Sequence, residues 1–169
     1  MFLAGPETER LTHRAKTEAD AAALYALNSN SDVMKFTGDV GFESEEQAAQ
    51  AIRDYPDFER YGFGRWGCYL KATGQLIGFS GLKYLPDLDE VDLGYRFFPE
   101  FWGQGIATES ALACVEFAFR SLELTSVIGL VLPEDVASIR VLEKSGFQAD
   151  GEIEPDGMRA LRFRVTAEV

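Results

Sequence analysis

Cysteine is scarce in this chain: Cys68 and Cys114 are the only two among 169 residues. Two thiols so far apart form neither a disulfide framework nor a metal-ligand spacing. The expectation is two buried thiols in a reducing, cytoplasmic setting, with no metal. Histidine is scarcer still, with His13 alone. A single histidine on a strand is expected to be structural rather than a general base. Long apolar runs are missing, and nothing approaches the roughly 18 apolar residues of a membrane-crossing helix. The opening MFLAGPETER has neither the basic start nor the apolar stretch of a signal peptide. Positive charge is the last shortage: 16 Lys and Arg against 28 Asp and Glu give a formal charge of -12. That balance argues against nucleic acid and against a membrane surface as partners, and it is compatible with a cationic amine.

What is present reads as one domain over residues 1–169, with 46% hydrophobic and 26% charged residues. No repeat, low-complexity tract or linker divides it. Residues 8–15 alternate as a first strand, and Thr17 caps a helix carrying Ala22, Ala23, Leu24 and Leu27. An irregular, aromatic connection over 31–42 leads to a second helix over 44–58. There Ser44 is the cap and Gln47 completes a capping box. Strands at 66–71, 75–84 and 90–98, joined by short turns, make an antiparallel meander. Gly78 and Gly81 mark a bulge or a close approach in its second strand.

From Gly105 the apolar spacing turns helical, through Ala107, Ala111, Cys114, Val115, Ala118, Phe119 and Leu122. The nearly all-apolar strand 126–132 follows, so strand, helix and strand form a parallel crossover. Asp135 caps a short helix that Gly146 stops. Two further strands, 147–153 and 158–165, flank a turn at 154–157. The fold class is α/β, or α+β by stricter usage: a mixed, mostly antiparallel sheet of about seven strands with helices on both faces.

The stretch VDLGYRFFPEFWGQGIATES, beginning at Val91, carries the chemistry. Its loop Gly103-Gln104-Gly105-Ile106-Ala107-Thr108 opens a long helix. Backbone N–H groups there converge on one point, assisted by the positive end of the helix dipole, which suits phosphate. A P-loop is excluded because no Gly-Lys-Ser/Thr follows. A dinucleotide fingerprint fails because Thr108 stands where a third glycine belongs and other structure precedes the unit. A plain glycine turn into a packed helix is the alternative reading.

Four segments in order, TERLTHR (with Asp20), GQLIGFSGL, VDLGYRFFPEFWGQGIATES and EDVASIRVLEKSGF, span residues 8–147. Together they resemble the GNAT superfamily of N-acetyltransferases, in the branch of RimJ/RimL-type ribosomal-protein N-terminal acetyltransferases. The resemblance implies transfer of an acetyl group from acetyl-coenzyme A, a cosubstrate, to a primary amine of a protein N-terminus or a small molecule. By it, the amides of Trp102, Gly103, Gln104, Gly105, Ile106, Ala107 and Thr108 hold the coenzyme pyrophosphate. The strand from Asp92 splays from strand 126–132, and the pantetheine arm lies in the gap. N–H groups of Phe97 and Phe98 pair with the arm and polarise the thioester carbonyl.

Trp102 replaces the family's usual glutamine or arginine, so the loop relies on backbone donors. Asp135 replaces a frequent asparagine; it is an N-cap first and a cofactor contact second. Asp92, where the branch often has glutamate, takes the proton. With an ordinary pKa of about 3.9, relay through water suits it best. Glu90 and Tyr95 are reserves. Ser138 protonates the departing thiolate, bonds the coenzyme, or is simply a first-turn serine. Two other expectations accompany these: an acyl donor other than acetyl, and a non-catalytic coenzyme- or nucleotide-sensing module. A homodimer through an exposed edge of the last strands is a further expectation.

Overall fold

The expected meander forms as β2 (Arg65–Leu70), β3 (Leu76–Leu85) and β4 (Glu90–Phe97). They belong to a computed structural model that describes residues 4–154 and 157–168. With β1 (Leu11–Arg14), β5 (Ser126–Val131), β6 (Gln148–Ile153) and β7 (Ala160–Thr166), they make one sheet in the order β1-β2-β3-β4-β5-β7-β6. The β4–β5 contact is parallel and the other pairings are antiparallel. Between β1 and β2 lie a 3-10 turn at Glu18–Asp20, α1 (Ala21–Leu27), α2 (Ser31–Met34), α3 (Glu45–Arg53) and α4 (Asp57–Tyr61). α5 (Ile106–Arg120) connects β4 to β5, and α6 (Val136–Lys144) connects β5 to β6. Among the described residues, no helix is long and apolar enough to cross a membrane.

Local chemistry explains the departures from expectation. The Asn30 side chain accepts from the N–H groups of Asp32 and Val33 at 2.9 and 3.2 Å, capping α2 inside the stretch read as irregular. The helix expected over 44–58 is two helices. Pro56 has no N–H to continue the ladder, so α3 ends before it and α4 restarts after it. Ser44 Oγ accepts from Gln47 N–H at 3.1 Å, but Gln47 reaches back to Glu43 N–H at 2.6 Å, one residue earlier than a capping box requires. β7 begins at Ala160 rather than 158, leaving Met158 outside the ladder. The expected turn at 154–157 falls partly outside the described residues.

Helix α5 lays Ala111, Cys114, Val115 and Ala118 onto the sheet against Trp66, Leu82, Leu93 and Val127. Trp66 meets Phe117 edge-on, with ring centroids 5.1 Å apart. A smaller cluster of Leu11, Cys68, Ile77, Phe97 and Ile106 lies under the start of the same helix. Each large side chain buried this way stabilises by about 1.5–3 kcal/mol. This packing fixes the N-terminus of α5 against the end of β4, where the site forms.

Candidate functional site

β4 pairs with β3 from Leu85↔Glu90 to Gly78↔Phe97, but with β5 only at Asp92↔Ile128. β5 instead keeps its pairing with β7, from Ser126↔Thr166 to Val131↔Leu161. Beyond Asp92 the two parallel strands therefore diverge, and a cleft of about 950 Å³ opens between them. Successive residues of an antiparallel ladder turn their N–H and C=O groups to opposite sides. The Phe98 N–H donates to Ile77 O at 3.0 Å, on the β3 side. By alternation, the N–H groups of Phe97 and Tyr95 face the gap.

Of the pair Phe97 and Phe98 expected to polarise a carbonyl, only Phe97 qualifies. Phe98 has committed its amide to the sheet. The Phe97 carbonyl also faces the gap, where it accepts the Trp102 indole N–H at 2.8 Å. Trp102 thus braces the following loop against β4.

That loop contains a 3-10 turn at Pro99–Phe101 and two left-handed residues, Gly103 (φ 73°) and Gly105 (φ 77°). A Cβ on Gly103 would meet nothing within 4 Å, and one on Gly105 only Arg10 Nη2 at 3.7 Å. The space over the turn is open to a ligand, and side chains are kept out of it by backbone conformation. The first intrahelical donor of α5 is the Glu109 N–H, to Gly105 O at 3.0 Å. The N–H groups of Ile106, Ala107 and Thr108 project past the helix end, as an anion cradle requires. The Gln104 side chain is engaged elsewhere, donating to Glu100 O at 2.9 Å, and its carbonyl accepts from Arg10 Nη1 at 3.0 Å.

Arg10 was not singled out from sequence, although it lies in the TERLTHR segment. Its Nε donates to Glu109 Oε1 at 2.8 Å, pinning α5 to β1 and placing a cation beside the cradle. Burial pushes the Glu109 carboxyl up, but the Thr8 hydroxyl and the Arg10 side chain and N–H bring it below the usual range. The acid at the start of α5 is thereby neutralised locally.

Side chains also alternate along β4, and this separates the remaining groups onto two faces. Tyr95 and Phe97 face α5, with ring centroids 5.8 Å apart. The Tyr95 hydroxyl is buried without a hydrogen-bond partner among the described residues and lies beside Ser138. Burial pushes it up to about 12, so it is a neutral donor at physiological pH. Asp135 accepts the Ser138 N–H at 3.2 Å and is the N-cap of α6, its expected first role. Both Asp135 and Ser138 line the cleft.

Asp92, Gly94 and Arg96 occupy the opposite face. Arg65 Nη2 donates to Asp92 Oδ2 at 2.7 Å, and Arg65 Nη1 donates to the carbonyls of Gly81 and Asp92 at 2.8 and 2.9 Å. Asp92 Oδ1 is buried and has no hydrogen-bond partner within 3.5 Å among the described residues. Burial raises the Asp92 carboxyl above its ordinary value, with Arg65 opposing the shift. This moves it toward the range useful to a base. Glu90 is elsewhere: it pairs with Arg164 at 2.7 Å, away from the opening. Among the described residues, no three His, Cys, Asp or Glu side chains cluster as a metal site requires.

Comparison with known proteins agrees with this geometry. The family model for the acetyltransferase (GNAT) domain matches residues 10–148. The chain is 36% identical over 148 residues to an uncharacterized N-acetyltransferase, YoaA, of Bacillus subtilis, covering 86% of this chain and 83% of that protein. An acetyltransferase from Agrobacterium tumefaciens superposes with a TM-score of 0.81 at 26% identity, over 99% of this chain and 98% of the other. RimL, a ribosomal L7/L12 α-N-protein acetyltransferase solved with coenzyme A, shares the fold: TM-score 0.80 at 17% identity, over 97% and 98% of the two chains. A matched family model over most of the sequence, joined to a cleft of the right construction, makes the chain a member of the GNAT family and an acetyl-coenzyme A-dependent N-acetyltransferase.

Proposed function

We propose that the chain acetylates a primary amine by direct attack on the thioester, as an enzyme of RimJ/RimL-like architecture. The observation that carries this reading is the divergence of β4 from β5 beyond Asp92, with the Phe97 N–H turned into the opening. The open space over Gly103 and Gly105 and the projecting N–H groups of Ile106 to Thr108 suit a pyrophosphate. Acetyl-coenzyme A supplies the acetyl thioester when bound; the RimL structure named above carries coenzyme A.

The chain's own groups then divide the work by face. The Phe97 N–H donates to the carbonyl oxygen and stabilises the charge that develops there, which lowers the barrier rather than merely holding the ligand. On the α5 face, the Tyr95 and Ser138 hydroxyls stand where a departing thiolate needs a proton. On the opposite face, Asp92 receives the proton lost by the amine, directly or through water. Raised by burial, it is a better acceptor than an exposed aspartate. The rest of the rate comes from holding the reactants in line. The two buried free thiols suit a cytoplasmic enzyme.

Free-thiol release from acetyl-coenzyme A with an amine panel, alongside calorimetry, tests the reading. Saturable binding and amine-dependent release are expected. No binding up to millimolar concentration would overturn it. Asp92→Asn should lower kcat by about tenfold or more, within the range of general-base catalysis, while acetyl-coenzyme A affinity stays unchanged. An unaltered kcat across the pH range removes Asp92 from proton transfer.

A further inference from the structure

Arg96 occupies the acceptor side of the cleft, on the β4 face it shares with Asp92 and Gly94. Only 16% of its side chain is exposed. Nη1 donates to Asn28 Oδ1 at 3.2 Å and meets Met34 Sδ at 3.7 Å, and the guanidinium carbon lies 5.4 Å from the Phe79 ring centroid. Those three partners are uncharged, and Asn28 is the buried C-cap of α1. They hold the guanidinium in place without neutralising it.

Among the described residues, the charge is met by Asp39 alone, through Nη2. Asp39 is 60% exposed on the loop between α2 and α3, beside left-handed Gly38 (φ 71°) and fully exposed Val40. The cation is therefore built into the wall, whereas its anion is held from solvent by a loop. An ion pair with so exposed a partner is weak, because solvent screens the carboxylate. A guanidinium fork, by contrast, suits an incoming carboxylate.

We propose that the acceptor is a small amine that also carries a carboxylate, and that Arg96 receives this carboxylate in the place Asp39 now fills. Arg96 adjoins Phe97, whose N–H points into the gap, so acid and amine of one short molecule are held a few atoms apart. Between Asp92 and Arg96, Gly94 leaves room for the Arg65 guanidinium: a Cβ there would lie 2.5 Å from Arg65 Nη2.

Size is limited from above. A Cβ on Gly38 would lie 2.6 Å from Met158 Cε, so the α2–α3 loop and Met158, just before β7, touch across the cleft mouth. An extended peptide has to part them; an amino acid does not. Asp39, tethered at an effective concentration of about millimolar, competes with the substrate and sets its KM.

This inference rests on the acetyl-transfer reading. Its test compares the common amino acids, each beside its own amide, in the thiol-release assay. The amide keeps the amine and removes the negative charge. Its amine is also the more easily deprotonated, so the comparison is weighted against the proposal. The acid is expected to exceed its amide by about tenfold in kcat/KM for the preferred side chains, the worth of one charge-assisted contact.

Arg96→Gln should abolish that ratio while acetyl-coenzyme A affinity is kept. Asp39→Asn should lower KM for the acid severalfold and leave the amide alone. Amides used as well as acids, a ratio unmoved by Arg96→Gln, a KM unmoved by Asp39→Asn, or turnover of peptides alone would overturn the proposal. So would binding of acetyl-coenzyme A with no amino acid accepted. Loss of acetyl-coenzyme A binding in the unaltered protein overturns the acetyl-transfer reading itself.

Discussion

His13, the lone histidine, illustrates what a single residue contributes. It is 1% exposed. Nδ1 lies 2.7 Å from Pro6 O, which can only accept, so the neutral ring carries its proton there. Nε2 then accepts from the Ser110 hydroxyl at 2.8 Å. Ser110 Oγ is 2.7 Å from Ser80 Oγ, and Ser80 Oγ is 3.8 Å from Cys114 Sγ. Burial depresses the His13 pKa, with the Pro6 carbonyl and Glu109 opposing. A depressed folded pKa contributes stability above the ordinary histidine value, and this is lost as pH falls toward the folded one. Asp92, raised by burial, has the opposite sign: acid relieves its cost. The melting temperature should therefore fall between about pH 7 and pH 5, and His13→Gln should flatten that fall. An equally steep fall in His13→Gln would exclude the histidine as its source. The structural role was legible from one histidine on a strand. The partners were not, because Ser80 and Ser110 reach it from distant strand and helix positions. Arg65, Arg96 and Asp39 escaped for the same reason, since Arg65 meets Asp92 and Arg96 meets Asp39 from distant positions of the chain.

At the scale of elements, the β4–α5 connection was the most legible part of the chain. Its signal is local: glycines at the turn, then apolar residues at helical spacing on α5. The misreading of Phe98 is instructive, because N–H direction along a strand depends on register with β3, which local sequence does not carry. The single helix over 44–58 failed differently, since its far bound was set two residues beyond Pro56, whose missing N–H breaks the ladder. The cradle can be tested apart from its backbone strain. A bulky residue at Gly105 combines the two effects, because φ of 77° itself costs most side chains about 1–2 kcal/mol. Asparagine tolerates that region, so Gly105→Asn should melt within a few degrees of the parent. Its side chain would nonetheless enter the open space over α5 and weaken acetyl-coenzyme A binding by about tenfold or more. Calorimetry showing unchanged affinity would place the pyrophosphate elsewhere.

For the whole molecule, the consequence of the diverging strands is a sheet of two halves joined narrowly. β6, the outer strand, pairs irregularly between Ala149 and Glu152 and carries Asp150 and Glu152, so it is a poor edge for self-pairing. Its Asp150 pairs instead with Arg162 and Arg164 of β7. Arg164 on β7 grips Glu90 with Nη2 at 2.7 Å and Nη1 at 3.1 Å, Ser126 Oγ at 3.0 Å and Asp150 Oδ2 at 2.8 Å. Glu90 is the first residue of β4 and Ser126 the first of β5. One guanidinium thus stitches the closed end of the opening whose far end forms the proposed active site. Arg164→Met keeps the apolar stem but leaves the partly buried Glu90 carboxylate without its cation, while Asp150 retains Arg162 at 3.1 Å. A cost of about 2 kcal/mol is expected, or roughly 4–8 °C in melting temperature for a chain of this size. Because the stitch sets where the strands part, KM for acetyl-coenzyme A should rise as well. Pairing Arg164→Met with Glu90→Gln in a double-mutant cycle should show coupling of about 1 kcal/mol or more. A thermal shift below about 1 °C with additive effects would mean that α5 and the core hold the two halves together without the ion pair.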